Sequence, residues 1–144
     1  MTNSHIDSLS RVLGQTFGLY VQTHAYHWNV EGPEFRQLHA LFEEQYQNLW
    51  NALDPIAERI RAIGAYAPGS LSELVGLAGE EPARVNSAAE MMDRLIAAHE
   101  ALASALREAI VVAQKAGDEP SAGMLTDRLE WHEQQLWMMK ASRK

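Results

Sequence analysis

The segment "LHALFEEQYQNLWNALDPIAERIRAIG", Leu38 to Gly64, decides the fold. Its apolar residues Leu49, Leu53, Ile56, Ile60 and Ile63 recur at three- and four-residue steps, the period of an amphipathic helix. His39 and Glu43 stand four apart near its start, and Asp54 and Glu58 four apart toward its end. Each couple offers metal-ligating atoms. One helical rise from His39 to Asp54 is ~22 Å, so a single ion cannot join both couples of one chain. Around the axis, with His39 at zero, Glu43 falls near ~40°, Asp54 near ~60° and Glu58 near ~100°. Tyr46 and Trp50 lie between the couples on the same side. A face of this kind suggests a twofold contact with a second copy of the helix. An antiparallel partner crossing near Asn48 and Leu49 would bring its Asp54 and Glu58 level with His39 and Glu43, making two equal sites between chains.

Pro55 lies within this helix, lacks an N–H and crowds the preceding turn. It should kink the helix, or else Asp54 caps a new one. The apolar pattern carries through, which favours a kink.

Outward from this segment, helical periodicity dominates. Leu9, Val12, Leu13, Phe17, Tyr20, Val21, Ala25 and Trp28 predict a first helix from Ile6 that Gly32-Pro33 ends. Gly14 and Gly18 within it permit close approach by another backbone. The second helix spans about Glu34 to Ile63, closed by Gly64 and "AYAPGS". Ser70 to Leu77 reads as a short helix in a long connection. Asn86 or Ser87 caps a third long helix through Lys115, with Met91, Leu95, Leu102 and Leu106 on its buried stripe. "AGDEPSAG" turns the chain into a fourth, from about Ala122 to the C-terminus. Four long helices, one short helix and no strand pattern predict an all-α four-helix bundle in one domain over residues 1–144. The long link between the second and third long helices permits a crossover.

The chain has 144 residues, 47% of them hydrophobic and 22% charged, as expected of a soluble globular protein. No apolar run approaches the ~20 residues a membrane span needs, and no basic-then-apolar leader opens the chain. The absence of cysteine excludes disulfides and thiolate metal sites, and fits a cytoplasmic protein. A formal charge of −7 disfavours non-specific nucleic-acid binding and suits cations. The short basic end of Lys140, Arg143 and Lys144 reads as a solvated helix terminus rather than a DNA contact.

His27, in "THAYHWNVEG", offers a further ligand. Imidazole and carboxylate together suit iron, manganese or zinc, and open N/O sites are typical of iron that reacts with oxygen species. Plainer readings compete: a packed His27 beside Trp28, Glu58 paired with Arg59 and Arg61 on an ordinary helix face, and Tyr46 and Trp50 as interface core. Carboxylate centres inside one bundle take Glu-x-x-His from two helices. Here the residues three before each histidine are Thr2, Val21, His24, Arg36, Ile96 and Leu129. None is Glu, so an intrachain centre is not expected. His24 reads as a partly exposed residue rather than a ligand.

"THAYHWNVEGPEFRQLHALFEEQY", "DPIAERIRAIG", "APGS" and "RLEWHEQQLWMMKAS" closely resemble the Dps family of ferritin-like mini-ferritins, over nearly the whole chain. The resemblance implies a ferritin-like bundle assembled into a dodecameric hollow shell, with ferroxidase sites between twofold-related subunits. His27 and His39 would come from one subunit and Asp54 and Glu58 from its partner. Glu43 stands where the family often has Asp. Trp28 would lie beside the site, where radical interception is the family-level proposal. The implied chemistry is oxidation of Fe(II), with hydrogen peroxide preferred over dioxygen, and storage of Fe(III) mineral against oxidative stress. The competing class is a structural or DNA-compacting shell with little oxidation. DNA-binding members carry a lysine-rich tail, whereas "MTNSHIDSLS" has no Lys or Arg, so DNA binding is not carried over. Family members also often have Asp in the opening turn of the last helix, near an iron pore. Ser121, Ala122, Gly123 and Met124 stand there, with Asp118, Glu119 and Asp127 as nearby electrostatic substitutes.

Overall fold

Local capping chemistry sets where each helix begins. The computed structural model describes residues 2–79, 81 and 83–144. The Thr2 hydroxyl accepts from the His5 N–H and opens α1, Asn3–Asn29. This cap starts the helix three residues before the Ile6 that the apolar pattern marks. α2, Phe35–Ala62, follows a corner at Gly32, whose φ of +117° suits a residue without Cβ. Ser70 caps α3, Leu71–Ala78, and Ser87 caps α4, Ala88–Lys115. Asp118 caps α5, Glu119–Ser142, and Pro120 occupies its first turn. α5 therefore begins before Ala122, because the cap lies inside the stretch that reads as a turn.

α2 continues through Pro55 without a break. The missing N–H would have met the carbonyl of Asn51, and both residues are exposed. Water can satisfy that carbonyl, so the helix gives up one bond and continues to Ala62.

The core is built from the predicted stripes. Leu9, Phe42, Leu49, Ile56, Ile60, Leu95, Leu102, Leu106 and Leu125 are almost fully removed from solvent. α1 packs against α2, α3 and α4, and α4 against α5. Polar contacts fix the directions. At one end, His5 of α1 and Arg59 of α2 both reach Asp118, at the start of α5. At the other, Asp93 near the start of α4 pairs with Arg143, just past α5. α2 and α4 thus run the same way, and the chain must return along the bundle between them.

α3 makes that return against α1. A Cβ added at Gly14 would lie 2.3 Å from the Leu77 Cβ, and one at Gly18 would lie 2.9 Å from the Ala78 Cβ. The two glycines are the close-approach points, and the backbone they admit belongs to α3. Among the described residues no helix is long and apolar enough to cross a membrane.

Candidate metal centre

The corner at Gly32 folds α2 back on α1 and sets the last turn of one beside the first turns of the other. His27 and His39 meet there. The Nδ1 of His27 lies 2.8 Å from the carbonyl oxygen of His39, and the Nδ1 of His39 lies 2.7 Å from the carbonyl oxygen of His27. The rings stack at 3.8 Å between centroids. A carbonyl only accepts, so each Nδ1 carries the proton and donates. In the neutral rings that leaves both Nε2 atoms as lone pairs, the tautomer a metal ligand needs.

Glu43, one turn after His39, places Oε1 3.9 Å from Nε2 of His27. That gap is too long for a hydrogen bond. It is within the reach of a cation bonded at ~2.1 Å to each atom. His27 is buried and His39 half-buried, while the Glu43 carboxylate is half exposed. Phe35 stacks on the outer face of His39 at 5.0 Å, and Tyr46 meets His27 edge-on at 5.1 Å. The stacked imidazoles and, beside His27, the Glu43 carboxylate therefore share one partly dry surface.

Asp54 and Glu58 stand apart from this cluster, farther along the continuous α2. Both are exposed, and among the described residues neither carries a side-chain hydrogen bond or ion pair. The ordinary salt-bridged face does not form. Arg59 turns inward to Asp118 at 2.6 Å and to Ser121 at 2.9 Å, and Arg61 bonds the Ala65 carbonyl and covers the Tyr66 ring. Among the described residues no group of three His, Asp or Glu side chains can enclose an ion within one chain. Between the two couples lies an aromatic cleft of about 300 Å³, lined by Tyr20, Tyr46, Gln47, Trp50 and Asn51. Trp50 and, at the end of α1, Trp28 are 57% and 65% exposed. Large aromatic side chains left in solvent beside a cleft are the kind of apolar surface that protein contacts cover.

His24 is half-buried and stacks flat on Tyr46 at 3.8 Å, with its Nδ1 2.9 Å from the Tyr20 hydroxyl. Its ring is held at a lowered proton affinity, first by burial and then by His27.

Asp118 corrects the electrostatic reading of the α5 entrance. It is buried and accepts from Ser121 and Arg59, with His5 Nε2 at 2.8 Å. Burial pushes its carboxyl up, but these hydrogen bonds outweigh burial and hold it well below the usual carboxylate range. A charge neutralised by buried partners does not serve an external cation.

Residues 6–143 match the ferritin-like domain family. A DNA protection during starvation protein of Brevibacillus brevis is 36% identical over 134 residues, 92% of this chain and 90% of its own length. The crystal structure of Dps from Staphylococcus aureus superposes with a TM-score of 0.95 at 30% identity, covering 99% of this chain and 97% of that one. A Dps structure from Vibrio cholerae, described as a member of a broad superfamily of ferritin-like diiron-carboxylate proteins, gives 0.93 at 30% identity, with 98% and 89% coverage.

Proposed function

The chain belongs to the Dps family of ferritin-like proteins, a family of iron storage and protection, and from that premise we propose that it is a ferroxidase whose sites are shared between subunits. What carries the reading is the exchange of Nδ1–H bonds between His27 and His39. Two helix ends spend a carbonyl each to hold both imidazoles with Nε2 free, an arrangement with little purpose in a merely packed pair.

His27 and His39 then hold Fe(II) as substrate, with Asp54 and Glu58 of the partner subunit closing the site across a twofold axis. Their unpaired carboxylates offset the added charge as Fe(II) becomes Fe(III), a hard cation that favours oxygen ligands. Glu58 is the candidate bridge between two irons. Glu43 lies close enough to share the His27 ligand position. Trp50 and the cleft beside it are covered by the antiparallel partner helix, which keeps the chemistry away from bulk water. The acidic surface gathers cations, and the assembly is a dodecameric cytoplasmic shell that oxidises Fe(II), preferentially with hydrogen peroxide, and stores the ferric mineral.

Anaerobic Fe(II) titration of the assembled protein, followed by peroxide, tests this. The expected outcome is saturable Fe(II) binding and rapid oxidation, with mineral retained by the assembly. A shell that stays empty would leave a structural or DNA-compacting role in its place.

A further inference from the structure

A polar layer crosses the bundle interior, apart from the metal centre. Gln45 and Asn48 of α2 meet Gln135 and Arg128 of α5, and His99 of α4 meets His132 of α5. The Gln45 amide donates to Gln135 at 3.0 Å, Nη1 of Arg128 donates to the Asn48 side-chain oxygen at 2.6 Å, and the two histidines share a contact of 2.8 Å between Nδ1 atoms. The rest of Arg128 is left over. Its Nε and Nη2, whose N–H bonds run parallel as a fork, are enclosed by protein and have no hydrogen-bond partner among the described residues. The guanidinium lies over the Trp131 ring at 4.8 Å, a contact with its face that leaves the edge donors free. Burial lowers its proton affinity only to about 10, so the charge persists at neutral pH. No carboxylate offsets it. Among the described residues Arg128 makes no ion pair, and Asp118, the one buried acid, is taken by His5, Arg59 and Ser121. A buried charge is costly unless paired.

We propose that the Arg128 fork, beside the His99–His132 pair, is an enclosed site for a small monovalent anion of the halide class, a structural counter-ion held inside the bundle. The charge of the ligand follows from its surroundings: one guanidinium and two neutral imidazoles call for a single negative charge. Its size follows from the enclosure, since the fork has no opening to solvent through which a larger ligand could reach it. Its sign follows from the donors. When two imidazoles share one Nδ1 proton, the accepting ring carries its own proton on Nε2, so one of the two enclosed, unpartnered Nε2 atoms is a further donor. The charge of Arg128 disfavours a proton on either ring, and it would equally disfavour a metal cation on the same nitrogens. Water would satisfy the donors and leave the guanidinium charge without a counterpart. The site stands on α4 and α5, separate from His27 and His39, and needs no iron.

Two arms test the site on the assembled protein. In the first, the protein is purified and crystallised with bromide in place of chloride, and diffraction is recorded at the bromine absorption edge. An anomalous peak should lie against Nε and Nη2 of Arg128 in every subunit. Water without anomalous signal at the fork, or a guanidinium turned away to a carboxylate, would overturn the proposal. In the second arm, urea unfolding of wild type is compared in chloride and in gluconate, an anion too large for the enclosure, at equal ionic strength. A ligand bound only by the folded state raises stability with its concentration, so the midpoint should climb with chloride and stay lower in gluconate. Arg128→Gln should lose that chloride-specific shift. If this variant does not assemble, Arg128→Lys, which keeps a charge without the fork, should lose most of it. An equal shift in the variant, or a bromide peak with no chloride-dependent midpoint in wild type (binding at crystal concentration only), would sink the site.

Discussion

His27 and His39 each donate an Nδ1–H to the other's backbone carbonyl, with the rings stacked at 3.8 Å. The two side chains are therefore a unit, and replacing one disturbs both. His39→Ala removes a ligand nitrogen and also leaves the His27 carbonyl without its donor. The initial rate of Fe(II) oxidation should fall by at least ~10-fold, the lower bound for losing an orienting partner. Size-exclusion profiles should be unchanged, because the apolar core lies elsewhere. Unaltered initial rates would remove this pair from the mechanism.

Sharing between chains has a sharper consequence. A His39→Ala subunit retains its carboxylates, and an Asp54→Ala subunit retains its imidazoles. Where the two pair across a twofold axis, one site carries both defects and the other carries none. In a random mixture half the pairs are mixed, so about a quarter of all sites should be intact. Subunits dissociated and reassembled together should recover about that fraction of wild-type oxidation rate, well above the rate of either variant alone. An intrachain site would show no recovery.

The sequence reveals most of the helices because each buries a regular stripe; Leu95, Leu102 and Leu106 are found from spacing alone. It also points to His39, Glu43, Asp54 and Glu58, since all four lie along one helix and their angles follow from counting. What it hides depends on distant partners. Asp118 reads as a surface charge until the fold brings in His5, 113 positions away, and Arg59, 59 positions away. The carbonyl partners of His27 and His39 are equally invisible, because they depend on the exact closure of the Gly32 corner. His99 and His132 sit where apolar residues would continue their stripes, and their mutual contact is a tertiary fact.

Gly14 tests the packing of the return segment. Replacing glycine by alanine inside a helix normally stabilises it by ~1 kcal/mol. Here the new Cβ would meet the Leu77 Cβ at 2.3 Å, with Leu77 and Ala78 backbone atoms at 3.0 and 3.1 Å. Backbone cannot rotate aside, so α3 must move as a whole. Overpacking of this kind costs ~1–3 kcal/mol, and the clash should outweigh the propensity gain. Gly14→Ala should melt at a lower temperature than wild type, and a raised melting temperature would show that α3 is not held against α1 in this way.

The buried pair of His99 and His132 makes a prediction about acid. Their Nδ1 atoms lie 2.8 Å apart, so one ring donates and the other accepts, which requires that the two Nδ1 atoms carry one proton between them. Burial, and then the charge of Arg128, pushes His99 from 6.5 down to about 3. Burial, then His99 and Arg128, takes His132 down to about 2. Between those values and 6.5 the unfolded chain binds protons that the folded chain refuses. The stability they support is complete above pH 6.5 and is lost progressively as pH falls toward 3. The slope is on the order of 1 kcal/mol per pH unit for each histidine. Unfolding measured between pH 7.5 and 4.5 should show stability decreasing throughout the acid half of that range. His132→Gln keeps a hydrogen-bonding group but cannot titrate, so its stability should depend less steeply on pH than that of wild type. An equal slope in the variant would mean that the acid sensitivity arises elsewhere in the bundle.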